Sequence, residues 1–138
     1  MPRVTNAKLA LDTKDQHTEI TVTYTVEFSV FERHLAHLGM VFRDRIRVIG
    51  VDPEGSTTGT VLANFDSRVL PVTDGNEPQS ITFGDEHPRH INVLRSVLQE
   101  DPGLGDSDEI RCRIRIAAQG LPPLETPDVF TNEVILLG

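Results

Sequence analysis

Residues 19–30 read E-I-T-V-T-Y-T-V-E-F-S-V. Ile20, Val22, Tyr24, Val26, Phe28 and Val30 alternate with Glu19, Thr21, Thr23, Thr25, Glu27 and Ser29. A period of two marks a β-strand with one buried face and one wet face. β-Branched and aromatic side chains fill the apolar phase, and these fit a pleated, half-buried surface. The alternation predicts one long strand over Glu19–Val30. A slip of one residue would carry every apolar side chain into water, so the register is firmly set. Such a strand needs hydrogen-bonding neighbours and a second layer over its apolar face.

The rest of the chain supplies candidates for both. Ala7, Leu9 and Leu11 alternate with polar or small residues and predict a short first strand. Residues 31–40, F-E-R-H-L-A-H-L-G-M, break the period. They predict a loop with one turn of helix, closed by Gly39. In V-F-R-D-R-I-R-V-I-G-V, residues 41–51, Phe42, Ile46 and Val48 share one face while Arg43, Arg45 and Arg47 share the other. Shorter strands are expected within 60–70 and at 80–83, a further alternating strand at 110–118, and a closing strand at 129–137. Residues 90–99, H-I-N-V-L-R-S-V-L-Q, fit helix or strand, and strand neighbours with two valines favour strand. Between these runs lie the turn-forming stretches 52–59, 72–79, 84–89 and 120–128. The total is about eight strands and at most one short helix, the pattern of an antiparallel sandwich or barrel.

Composition narrows the function. A chain of 138 residues with 38% hydrophobic content suits a single domain, 1–138, whose core needs no metal or disulfide staple. The net charge of −8 argues against general nucleic-acid binding. Aromatic content of 5% without tryptophan leaves no stacking platform for sugars or single strands. No apolar run approaches the roughly 20 residues of a membrane span, and no secretory signal is visible, so a cytoplasmic setting is the default. Cys112 is the only cysteine. Flanked by Ile110, Ile114 and Ile116 in the same phase, it is expected to be a buried, inert thiol.

Residues 108–116, D-E-I-R-C-R-I-R-I, with the proline-bearing loop after them and T-N-E-V-I-L-L at 131–137, resemble the closing hairpin of an immunoglobulin-like or fibronectin type III-like β-sandwich. The resemblance implies two antiparallel sheets, with the third and penultimate strands as neighbours in one of them. It implies no functional residues, because many activities share that architecture. The chain departs from the pattern in lacking a tryptophan, a cysteine pair and a tyrosine near the penultimate strand.

The strongest functional signal is a doubled arginine stripe: Arg43, Arg45 and Arg47 on one strand, and Arg111, Arg113 and Arg115 on another. These six are nearly half of the 13 basic residues of an acidic chain. In the resembled architecture the two stripes share one outward face, where like charges repel. Glu133, another acidic surface or a bound anion is expected to answer them. The reading is a non-enzymatic structural or protein-interaction module whose arginine face meets a protein partner or a second copy in a homo-oligomer. Solvated arginines with local salt bridges are the plain alternative.

Two H-x-x-H pairs, His34 with His37 and His87 with His90, offer a zinc or nickel site should they meet in space. The acidic stretch carrying Glu100, Asp101, Asp106, Asp108 and Glu109 offers oxygen ligands for calcium, although its spacing is not that of an EF-hand. Asp85, His87 and His90 form the one cluster suited to acid–base catalysis. Residues 50–57 lack the lysine and the following helix of a phosphate-binding loop. No nucleophile motif of the hydrolase families is present.

Overall fold

The strand expected at 19–30 runs over His17–Phe28 (β2) and forms the middle of the first sheet. The computed structural model describes residues 2–51, 59–98, 108–120 and 128–136. On one side β2 pairs with β1 (Arg3–Lys14), with a bulge between Thr5 and Lys8. On the other it pairs with β5 (Gln79–Phe83) along Tyr24–Phe28 and with β6 (Arg89–Leu94) along His17–Val22. β5 and β6 therefore lie end to end along one edge, a single lane interrupted at 84–88.

The second sheet repeats this economy. β3 (Val41–Val51) pairs with β7 (Asp108–Gln119) over ten consecutive residues. β4 (Gly59–Asn64) covers one half of the outer edge of β3. Residues 65–70 continue along the other half, through Phe65 N–H to Ile46 O (2.9 Å), Asp44 N–H to Arg68 O (3.1 Å) and Leu70 N–H to Phe42 O (2.7 Å). β8 (Val129–Phe130) and β9 (Val134–Leu136) share the far edge of β7. The described strands are thus nine, all antiparallel, in two facing sheets.

The alternation explains the core. Ile20, Val22, Tyr24, Val26 and Phe28 of β2 face Phe42, Ile46 and Val48 of β3 and Ile110, Cys112, Ile114 and Ile116 of β7. Each large apolar side chain so buried contributes roughly 1.5–3 kcal/mol. Phe28 and Phe42 meet edge to face at 5.0 Å.

One polar cluster crosses this core. Asp44 sits in the inward phase of β3 and is fully buried. It accepts from Tyr24 Oη (2.8 Å), from Arg89 Nε (2.8 Å) and Nη2 (3.1 Å), and from the Arg68 amide (3.0 Å). Arg89, 2% exposed, lies 5.8 Å over the Phe65 ring and also donates to the Asp66 carbonyl. Tyr24 and Arg89 belong to the first sheet and Asp44 to the second, so the cluster pins the two together. Burial, reinforced by the Asp44 carboxylate, pushes the Tyr24 phenol far above its ordinary pKa.

Local differences from the sequence expectation have local causes. The strand stops at Phe28 because Ser29 caps a helix, α1 (Val30–His37). Ser29 Oγ accepts from Glu32 N–H (3.2 Å), and Glu32 Oε1 accepts from Ser29 N–H (2.8 Å). This is a capping box, which satisfies two end donors at once. Val30 therefore opens a helix of eight residues, not the end of a strand, and Gly39 (φ +109°) closes it in the left-handed region that glycine tolerates. Residues 90–99 divide: strand to Leu94, then a second helical turn, α2 (Arg95–Leu98). The closing run breaks at 131–133. There Thr131 exchanges hydrogen bonds with Cys112, and Asn132 Oδ1 accepts from Leu9 N–H (2.9 Å) on the edge of the first sheet. Most of the turns expected at 52–59 and 120–128, and most of the acidic stretch 100–109, lie outside the described residues.

Candidate functional site

The register of β3 on β7 decides where the arginines go. Arg45 stands directly opposite Arg115, and Arg47 directly opposite Arg113. Arg43 faces Ala117 and Arg111 faces Ile49 in the same outward phase. The two ladders therefore form one continuous patch on the outer face of the second sheet. Cross-strand neighbours of one sign destabilise a sheet unless something compensates.

Part of the compensation comes from the chain itself. Asp128 lies 2.7 Å from both Nε and Nη2 of Arg115 and 3.9 Å from Nε of Arg113. Glu133 lies 3.8 Å from Arg111, whose guanidinium also stacks at 5.0 Å on Phe130. Arg43 and Arg47 make no ion pair with a described residue, and Arg47 is exposed. Six of the chain's 13 basic residues thus share one face of a chain whose net charge is −8, with Asp128 and Glu133 as described carboxylates beside them. Arg45, Arg47, Arg113 and Arg115 surround a cleft of about 10 Å³ at its centre.

The same face carries apolar side chains. Val69 bridges to Arg43, Val61 stands opposite Ile49, and Ile135 stands opposite position 109. Their exposures of 53%, 42% and 55% make them three of the few large apolar residues left in water.

No family model, curated protein or solved structure matches this chain.

The histidine pairs are not brought together. His34 Nδ1 is 2.6 Å and His37 Nδ1 3.9 Å from the carboxylate of Asp74 in the loop before β5. The hydrogen bond from His34, ahead of the smaller effects, holds the Asp74 carboxyl below its ordinary pKa. Beside them Arg33 threads that loop, donating to the carbonyls of Thr73 (2.6 Å), Asp74 (2.9 Å) and Glu77 (2.7 Å). Gly75 packs against the same guanidinium, where a Cβ would collide with it. His87 sits in the turn between β5 and β6, its amide bonded to Gly84 O (3.2 Å), and His90 is exposed on β6 opposite Thr21. Among the described residues no group of three or more His, Cys, Asp or Glu is arranged to hold a metal ion. Asp108 opens β7 opposite Leu136, and Asp106 lies outside the described residues. Asp85 does line a groove of about 250 Å³ with Asn6, Lys8, Thr23 and Thr82, but His87 and His90 do not.

Cys112 is fully buried, and that burial pushes its thiol up to about 12. No helix among the described residues is long and apolar enough to cross a membrane. Two constellations escape a reading by spacing alone: the Tyr24–Asp44–Arg89 cluster and the Asp128 carboxylate on the arginine face. Asp44 did carry a signal, because strict alternation puts it in phase with Phe42, Ile46 and Val48. Asp128 carried none, since its placement depends on the pairing of β8 with β7.

Proposed function

We propose that this chain is a protein-interaction module of the immunoglobulin-like or fibronectin type III-like kind. Its arginine-lined face docks an acidic surface of a partner protein. The observation that carries this reading is the side-by-side placement of the two ladders, which gathers six of the 13 basic residues on one face of a chain of net −8. The adjacency of the third strand and the long penultimate strand supports the architectural half of the proposal. The exposed rim of Val61, Val69 and Ile135 supplies apolar contact around the charges. Arginine forks bind carboxylates in pairs, and a cationic field steers an acidic partner toward the face. The proposal assigns the chain no catalysis. Its buried free thiol, Cys112, suits a reducing compartment such as the cytoplasm.

The test is binding to an immobilised glutamate-rich peptide, with a lysine-rich peptide of equal length as control. Each arginine-to-glutamate change replaces a positive charge with a negative one, so R45E/R113E lowers the charge of the face by four. The wild-type chain is expected to bind the glutamate peptide, more weakly as salt rises, and the double variant to lose binding. Equal binding to the lysine peptide, or undiminished binding by R45E/R113E, would overturn the reading. A solution mass above that of one chain, returned to one by R45E/R113E, would identify the partner as a second copy.

A further inference from the structure

We infer that the groove between Lys8 and Asp85 on the first sheet is a site for a small zwitterion, a dipeptide with both termini free. It lies on the other sheet from the arginine ladders and does not rest on the docking proposed for them.

Two irregularities meet at one rung of β2 and make the concavity. On one flank the register of β1 jumps, with Thr5 opposite Thr25 and Lys8 opposite Thr23, so Asn6 and Ala7 share the single Tyr24. Asn6 is exposed and takes the left-handed region (φ +56°), which asparagine tolerates better than most residues. Bulges of this kind re-aim side chains beside functional sites. On the other flank β5 ends at Phe83, whose register partner is also Tyr24, and its lane stays open until β6 starts at Arg89. Bulge and lane break together leave a groove of about 250 Å³ over Thr23 and Thr25.

Its polar lining is uncommitted. The side chains of Asn6, Lys8, Thr23 and Asp85 make no hydrogen bond or ion pair with a described residue. Thr25 and Thr82, by contrast, are bonded to each other at 3.1 Å.

Charge and size choose the ligand. Lys8 on β1 and Asp85 just beyond β5 bring one charge of each sign from opposite flanks, with β2 between them. Two strand spacings, roughly 9.5 Å, separate those flanks. An extended dipeptide spans roughly 7 Å, and the two side chains close the remainder. Its carboxylate meets the Lys8 ammonium and its ammonium meets the Asp85 carboxylate. A free amino acid holds its charges too close together to reach both. A longer peptide overruns a groove smaller than the roughly 300–1,000 Å³ of drug-sized pockets. The Thr23 hydroxyl and the Asn6 amide are placed to bond the peptide group, and Phe83, half-buried against the Tyr24 ring (5.0 Å), gives its side chains an apolar wall.

The experiment titrates the isotope-labelled full chain with alanyl-alanine and follows the backbone amides by NMR. Saturable shifts are expected at residues 6–8, 23–25 and 82–85, with a Kd on the order of millimolar. Each free terminus contributes one exposed ion pair, so the N-acetylated and the C-amidated dipeptides should each bind about threefold to fivefold more weakly. Lys8→Gln should erase the preference over the amide and keep that over the acetyl form; Asp85→Asn should do the reverse. Both residues are exposed, so both variants should melt as the wild type does. Gly84→Val should weaken binding of all three, because a Cβ there meets only the Thr82 methyl at 3.6 Å, an ordinary contact, and adds bulk to the lining. Arg47→Gln, on the other sheet, should change nothing. An absence of saturable shifts, capped dipeptides that bind as tightly as the free one, or end preferences that survive Lys8→Gln and Asp85→Asn would overturn the inference.

Discussion

An Asp44→Ala chain is expected to lose about 3–5 kcal/mol of stability, the range found when one partner of a buried ion pair is removed. The structure supplies the reasons. Asp44 is fully buried, and Arg89 is 2% exposed. Removing the carboxylate leaves a guanidinium in the core with the Asp66 carbonyl and the Phe65 ring for company. It also strips the acceptor from the Tyr24 hydroxyl and from the Arg68 amide. All four lost bonds end on the carboxylate and are charge-assisted, worth roughly 1.5–3 kcal/mol each. They share one acceptor residue, so the sum overstates the loss. Against a total of about 5–15 kcal/mol for a typical domain, the change is large. It should lower the melting temperature by roughly 10–20 °C. Urea titration of Asp44→Ala, Asp44→Leu, Arg89→Met and the double variant D44L/R89M is the assay. An apolar pair of similar volume escapes the desolvation penalty, so the double variant should regain much of what either single change loses. A loss below about 1 kcal/mol for Asp44→Ala, or single-variant losses that simply add in the double, would refute the argument that the cluster is a coupled clamp between the sheets.

The Cys112 thiol is expected to resist a thiol reagent at pH 8 until urea unfolds the chain, and full labelling of the native protein would contradict its placement. The folded thiol is raised to about 12 from an ordinary 9.0, so the stability linked to it is complete below pH 9.0, declines above that, and is gone by about pH 12. Cys112→Ala should remove that share of the alkaline decline. Gly75→Ala should cost about 1–2 kcal/mol, because the new methyl displaces the Arg33 guanidinium from its carbonyl acceptors. In an Arg33→Ala background the same change should cost only a few tenths of a kcal/mol, and an equal cost in both backgrounds would show that the guanidinium is not what Gly75 makes room for.

Much of the architecture can be read from alternation alone. Ile20 to Phe28 and Ile110 to Ile116 are strands with one dry face, and they pack as their period requires. The helix at Val30–His37 was legible as well, but in a different signal. Ser29 with Glu32 is a capping box, and it outweighs the apolar phase that would extend the strand to Val30. The division of 90–99 between strand and helix was not legible. Ile91 and Val93 satisfy both periods, and the choice is made by pairing with Ile20 and Thr18 across the sheet. At the arginine face the two stripes could be seen, and their common sheet could be argued from the resemblance, but their register could not. Whether Arg45 meets Arg115 or an isoleucine depends on long-range pairing between β3 and β7, which local composition does not encode. The same holds for Asp128 and Asp74, each placed by contacts with residues distant in sequence or by loop closure.

The account stands on two arginine ladders that lie in one outward plane and take up acidic partners there. Arginine-specific modification by phenylglyoxal, mapped by mass spectrometry with and without the glutamate-rich peptide, tests this most directly. Arg43 and Arg47 should react in the free chain and be protected together by the peptide, Arg3 should react equally in both, and Arg89 in neither. Protection of Arg3 to the same extent as Arg47, or ready modification of Arg89 in the native chain, would contradict it.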